Sequence, residues 1–349
     1  MKRRTILSTG ATLSTAVTAA FVGAAALAVV VTGVVTGGAT AARAAQFPDK
    51  AITVVVGFSA GGGTDTYARI LASVIPEYIN RQPLIVVNKP GGAQVPSMKF
   101  TAKSKADGYT LQFFSTGSGV VATMLRDRGV DWFRDFEPVA QIGNINIAIV
   151  ANKKTGYKTP QDIVAAVKKA HAAGRKLRWA HTGRGSITNL SAIAWLIKNG
   201  IFDMVQDVPF KGGSPTRAAL LGNQVDFGAM GLQQTTGFMD RLNIMGILAS
   251  KRDPVRKDAP TMAELNSPYV AMYSPIIMAA PKGTPKDRID YLAAAIKKAT
   301  EHRAFKKLTK KAGLAVVYKG PEETRKMMAK LREEWRPTID FVKKRMARK

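Results

Sequence analysis

The residues best placed to do chemistry are backbone atoms rather than a catalytic set. In "TVVVGFSAGGGTDTYARI", residues 53–70, a β-branched run stops at Gly57, and Gly61, Gly62 and Gly63 then lead into a pattern of helical period. A glycine turn from strand to helix gathers several N–H groups and the positive end of a helix at one point, which suits an anion. Thr64 and Asp65 can order the first helical turn through their side-chain oxygens. The same stretch also reads as a plain tight strand-to-helix connection. A dinucleotide fingerprint fits poorly: its third glycine would fall on Thr66, and the next strand ends at Asn88 rather than at an acid for a ribose.

Enzyme chemistry finds few candidates. His171, His181 and His302 are the only histidines, and none has a carboxylate or second histidine at metal-ligand spacing. Neither a nucleophile elbow nor a phosphate-binding loop of Walker type occurs; "STGSG" and "GRGS" are near misses. The reading is therefore no enzyme, no metal and no cofactor, with His181 a packed or hydrogen-bonding residue.

The chain of 349 residues is long enough for two domains and apolar enough to bury a core. Basic residues outnumber acidic ones 52 to 24, which favours anionic partners. A nucleic-acid face would need aromatic platforms or a recognition helix, so nucleic acid is not expected. The absence of cysteine excludes disulfides and thiolate metal sites and tolerates an oxidising compartment.

Residues 1–45 read as a signal peptide. Lys2, Arg3 and Arg4 precede an Ala/Val/Thr/Gly-rich stretch, and Ala42-Arg43-Ala44 supplies a small-residue cleavage site, with cleavage near Ala44 or Ala45. Arg3-Arg4 followed by Thr-Ile-Leu resembles a twin-arginine signal, and ordinary secretory leaders carry such pairs too, so the export route stays open. The stretch is long enough to span a bilayer, so a membrane-anchored form is the alternative; both place the rest outside the cytoplasm. Cleavage removes four basic residues and no acids, leaving 48 against 24, or +24.

These residues must be positioned by alternating strands and helices. "AITVVVGF" and "PLIVVNKP" read as buried strands around the helix "TYARILASVIPEYI", a βαβ unit. "YTLQFFS", "EPVAQIG", "NIAIVAN", "LRWAHTG", "DVPFKGG", "VDFGAMG", "IMGILAS" and "PIIMAAPKG" are further strands, and "TPQDIVAAVKKAHAAG", "SITNLSAIAWLIKNG" and "SPTRAALLGNQ" further helices. The class is α/β. The lysine pairs at 297–298, 306–307 and 310–311 read as solvated helix faces.

A second turn, "VVNKPGGAQVP", repeats the arrangement of strand, glycines and helix, so two turns on neighbouring strands could close on one carboxylate. Here the sequence resembles the extracytoplasmic substrate-binding proteins of tripartite tricarboxylate transporters, the TctC-like or Bug family. The ordered motifs are "FPDKAITVVVGFSAGGGTD", "VVNKPGGA", "ADGYTLQF", "DFEPVAQIG", "VPFKGGSPTRAALLGNQVDF", "APTMAEL" and "AAPKGTP", over roughly residues 47 to 340.

The resemblance implies a two-lobed periplasmic-binding-protein fold of type II, hinged on two crossing strands, "NIAIVAN" and "YSPIIMAAP". Lobe one would hold 46–148 and 275–349, and lobe two 149–274. It assigns one ligand carboxylate to Phe58, Ser59, Ala60, Gly61, Gly62, Thr64 and Asp65, with Gly91, Gly92 and Ala93 opposite and Ser115 and Thr116 at the next strand end. The family usually shows Gly at the position of Ala93 and an uninterrupted helix where Pro96 stands. From lobe two, Thr182, Gly183 and Ser186 would form another anion-accepting end, and Arg184 could grip a second carboxylate bidentately or face solvent. The implied function is a monomeric periplasmic receptor that captures an organic carboxylate, leaning to a di- or aromatic dicarboxylate, and delivers it to the membrane permease subunits. A sensor presenting ligand to a two-component kinase is the alternative.

Overall fold

The structure, a computed structural model, describes residues 47–346. The expected leader lies outside the described residues. Among the described residues, no helix is long and apolar enough to cross a membrane.

The α/β alternation expected from the sequence forms. In chain order the elements are β1 (Ile52–Val56), α1 (Gly63–Val74), β2 (Leu84–Asn88), α2 (Val95–Ala102), β3 (Thr110–Ser115), α3 (Thr116–Leu125), α4 (Trp132–Asp135) and β4 (Phe136–Asn152). There follow α5 (Pro160–Ala172), β5 (Leu177–His181), α6 (Ile187–Lys198), β6 (Val205–Pro209), α7 (Gly213–Leu221), β7 (Phe227–Gly231) and β8 (Leu242–Ile247). The chain closes with β9 (Tyr273–Pro281), α8 (Lys286–Glu301), α9 (Arg303–Lys311), β10 (Ala315–Lys319) and α10 (Pro321–Met346).

Local chemistry explains the boundaries that matter. Pro76 cannot continue α1, which gives way to a 3-10 turn over Ile75–Tyr78. Thr159 and Asp162 form a reciprocal capping box that starts α5. Pro96 stands in the first turn of α2, where its missing N–H has no intrahelical partner to lose.

The strands run in the order β2-β1-β3-β9-β4-β7-β5-β6, with β8 and β10 also pairing β4. One half has β2, β1 and β3 in parallel, with β9 antiparallel to β3. In the other, β6, β5 and β7 are parallel. The two candidates "EPVAQIG" and "NIAIVAN" prove to be a single 17-residue strand, β4. It pairs β9 from Phe136 to Asn146, then β7 and β8 from Ile147 to Asn152. Register shifts at Pro138/Ala140 and Gln141/Gly143 bend it without ending it. β10, absent from the sequence reading, pairs β4 at Gly143 and Asn144.

The core follows the sheet. Buried Ile52, Val54, Leu71, Ile142, Ile149 and Trp195 belong to one apolar cluster running through both halves. Tyr67 of α1 is buried with its hydroxyl 2.6 Å from the Ala315 carbonyl and 3.2 Å from that of Asn144, donating there and tying α1 to the middle of the sheet. Burial pushes its phenol pKa up, so it remains a donor.

Candidate ligand-binding site

Four helices begin where β1, β3, β5 and β6 end, and their N-termini converge. α1 contributes Gly62, Gly63 and Thr64 to one cavity, α3 contributes Ser115 and Ser118, α6 contributes Ile187 and Thr188, and α7 contributes Gly213. The first intrahelical bond of α1 runs from Thr66 N to Gly62 O at 2.8 Å, so the amides of Gly63, Thr64 and Asp65 have no intrahelical acceptor. Each helix end carries roughly half a positive charge. No lysine, arginine, histidine or carboxylate lines the cavity. The positive potential there comes from backbone dipoles, and the arrangement can hold an anion through N–H and hydroxyl donors.

The first glycine turn is held from behind. Asp65, 1% exposed, accepts the Gly61 amide at 2.8 Å and the Arg69 Nε at 2.9 Å on one oxygen, and the Asn88 amide at 2.8 Å on the other. Asn88 also donates to the Phe58 carbonyl at 2.9 Å. Both carboxylate oxygens are thus occupied by the scaffold.

The second turn supports the site without lining it. Gly91, Gly92, Ala93 and Gln94 all hold positive φ, at 116°, 53°, 52° and 74°. Side chains rarely adopt such backbone, and the buried Gln94 carboxamide fixes it by bonding both sides of one residue, donating to Ser115 O at 2.7 Å and accepting from Ser115 N at 3.2 Å. The structure therefore does not bring Gly91, Gly92 and Ala93 to the cavity wall; their turn braces the end of β3.

The other half presents hydroxyls. Thr182 Oγ1 lies 2.7 Å from Thr188 Oγ1, which lies 2.8 Å from Ser186 Oγ, and Ser186 caps α6 by accepting Asn189 N at 3.2 Å. Thr182 reaches the cavity, whereas Gly183 and Ser186 shape the loop behind it. Arg184 turns away. Its side chain is 69% exposed and its Nε donates to Asp207 at 2.9 Å, beside a separate crevice lined by Trp179, Asn189 and Phe202. Buried His181 accepts the Gly183 amide at Nδ1 (3.2 Å), which leaves Nε2 to donate to Asp207 at 3.4 Å. The His181 hydrogen bond, and then the Arg184 guanidinium, hold the Asp207 carboxyl well below the usual range.

The two halves touch at the mouth. Ser59 donates to the Lys211 carbonyl through its amide (3.3 Å) and hydroxyl (2.9 Å), and Ser214 Oγ donates to Ala60 O at 3.1 Å. Deeper in, Ile187 N donates to Ser118 Oγ at 3.2 Å. Ser59 and Ala60 thus bond across the mouth and the Gly61 amide bonds Asp65, while Phe58, Gly62, Thr64 and Ser115 line the cavity. Ser115 is joined there by Ser274, hydroxyl to hydroxyl at 2.6 Å. Thr116 opens α3 beside them.

Sequence reasoning missed Gln233, Gln234, Gly213, Ile145 and Ile147, which complete the wall. Gly213 carried a signal, since "PFKGGS" repeats the strand–glycine–helix pattern. Gln233 carried only its place just after a strand end. Its side chain, 9% exposed, has no hydrogen-bond partner among the described residues. Gly63 and Gly231 make room for it: a Cβ on either would stand 1.9 Å and 2.6 Å from its amide nitrogen. The cavity has a volume of about 40 Å³.

The chain is similar to several known proteins. The profile of the tripartite tricarboxylate transporter family receptor matches residues 67–343. BugT from Bordetella pertussis is 28% identical over 296 residues, covering 83% of this chain and 88% of BugT. Among solved structures, MatC from Rhodopseudomonas palustris with bound malate superposes with a TM-score of 0.77 at 26% identity, over 84% of this chain and 100% of MatC. The structure of a periplasmic transporter also superposes at 0.77, with 27% identity over 86% of this chain and 98% of the other.

Proposed function

The chain belongs to the tripartite tricarboxylate transporter receptor family, and on that premise we propose that it is a monomeric extracytoplasmic receptor that closes on a small organic diacid and hands it to the membrane permease subunits. The leader of residues 1–45 directs export and is removed near Ala44 or Ala45. The halves built on β1–β3 and on β5–β7 act as lobes 46–148 with 275–349, and 149–274, and β4 runs through the hinge between them.

The observation that carries this reading is the convergence of four helix N-termini on one cavity with no charged side chain in its wall. One carboxylate sits at the free amides of Gly63, Thr64 and Asp65, beside Ser115. The second faces the α6 and α7 ends and the Gln233 carboxamide, with Ile145, Ile147 and Ile187 around the carbon chain. Helix ends from both halves suit a ligand charged at both ends, and a charge held by them gains up to about 2 kcal/mol per end when partly buried. The similarity to MatC, solved with malate, supports a four-carbon diacid as the first ligand to try.

A calorimetric screen of mono-, di- and aromatic carboxylates tests the reading. It predicts that compact diacids bind more tightly than monoacids of equal length. Tighter binding of monoacids would overturn the diacid assignment.

A further inference from the structure

Solute capture leaves the positive surplus of the chain without a use, and a dense cluster of it lies on α9. Arg303, Lys306, Lys307, Lys310 and Lys311 recur at spacings of three and four, so they share one face, while Phe305 and Thr309 bury the other. All five cations are exposed, α9 contains no acid, and none of the five has an ion pair among the described residues. Lys306 and Lys310 also form the rim of a groove of about 620 Å³, shared with Lys257 and floored by Val255, Leu314 and Val316. Asp258 borders the same groove, but Arg256 engages it through two bonds of 2.9 and 2.7 Å. Leu308 and Val316 stand exposed beside the cations, at 39% and 36%.

We propose that α9 and this groove form a docking face for an anionic lipid bilayer. Four of the five cations are lysines, whose compact ammonium groups on flexible stems can follow headgroups that move independently, whereas recognition of one fixed phosphate favours an arginine fork. The only aromatic residue of α9 is buried, so nothing on the face stacks a nucleobase. Apolar side chains next to a cationic stripe suit the headgroup boundary. None of these residues lines the ligand cavity, so the face can be occupied while solute binds.

The test is co-sedimentation of the full chain with phosphatidylcholine vesicles and with vesicles containing one-third phosphatidylglycerol. The quartet Lys306→Gln, Lys307→Gln, Lys310→Gln and Lys311→Gln is compared with a control quartet, Lys168→Gln, Lys169→Gln, Arg175→Gln and Lys176→Gln, which removes equal charge from the end of α5 and the turn after it. Four lysines at an anionic surface predict a loss of about a hundred-fold or more in phosphatidylglycerol-dependent binding for the α9 quartet. The control should fall several-fold at most, and added salt should abolish the difference. Equal losses in both quartets would reduce the effect to diffuse charge and overturn the proposal. So would binding that ignores phosphatidylglycerol, or an α9 quartet that loses only an acidic protein partner. Unchanged solute affinity and melting temperature in the quartet exclude misfolding as the cause.

Discussion

Gly63 and Gln233 meet across the cavity so closely that a Cβ on Gly63 would stand 1.9 Å from the Gln233 amide nitrogen. The first amide of α1 and an unpartnered carboxamide from the opposite half therefore share one small space, and only glycine at 63 allows both to be there. Gly63→Ala should leave the fold intact, because Gln233 can swing outward, yet it should weaken diacid binding at least ten-fold by displacing that carboxamide and crowding the first α1 amide. Calorimetry beside a melting curve separates the two effects, and an unchanged affinity would contradict the close approach.

The Asp65 side chain is engaged by the turn, since scaffold donors occupy both of its oxygens. Replacing it with Ala strips a buried acceptor from three donors and should lower stability by about 1–3 kcal/mol. Affinity should fall modestly because the α1 amides stay in place. Urea unfolding with a parallel binding titration checks both; complete loss of binding in a folded variant would make Asp65 a direct contact.

Arg184 is engaged by Asp207 outside the cavity. Arg184→Ala should accordingly change affinity for diacids and monoacids alike, and by less than about three-fold, far below the cost of removing a buried charge partner. A selective loss for the diacid would restore Arg184 to the ligand.

Asp207 sets an acid limb. Its folded-state pKa is depressed below the unfolded value of about 3.9, so its contribution to stability is complete above that value. The contribution is lost as pH falls further and the folded-state carboxylate takes up a proton. Asp207→Asn should flatten the decline of melting temperature below about pH 4 and leave the slope near neutrality unchanged. A parallel decline in both proteins would show that Asp207 does not govern this limb.

The sequence made some of this legible, and the reasons differ by element. Runs of β-branched residues exposed β1 and β2, and the glycine that follows a strand revealed the end of α1, because backbone geometry restricts residue type there. β4 read as two strands because Gly143 and Asn144 interrupt the pattern where register shifts bend a continuous strand. β10 escaped notice since its pairing with β4 is a tertiary choice. Gly91 and Gly92 looked equivalent to the first turn, yet the buried Gln94 carboxamide turned their loop into a brace. Arg184 stayed open between gripping a carboxylate and facing solvent because its partner, 23 residues along on β6, cannot be seen in a linear pattern. Gln233 was invisible for the same reason: what makes it notable is the absence of a partner, which only packing reveals.

The central claim is that helix ends hold ionised carboxylates between the two halves. The most direct measurement is the shift in melting temperature of the full chain with malate or succinate, set against the corresponding diamides, which keep the shape but carry no charge and put an N–H donor where each carboxylate has a second acceptor oxygen. A ligand at a hundred times its dissociation constant adds about 2.7 kcal/mol to stability, enough to raise the melting temperature by several degrees. The account predicts such a rise for the acids and none for the diamides. Equal stabilisation by acids and diamides, or no response to any diacid, would contradict it.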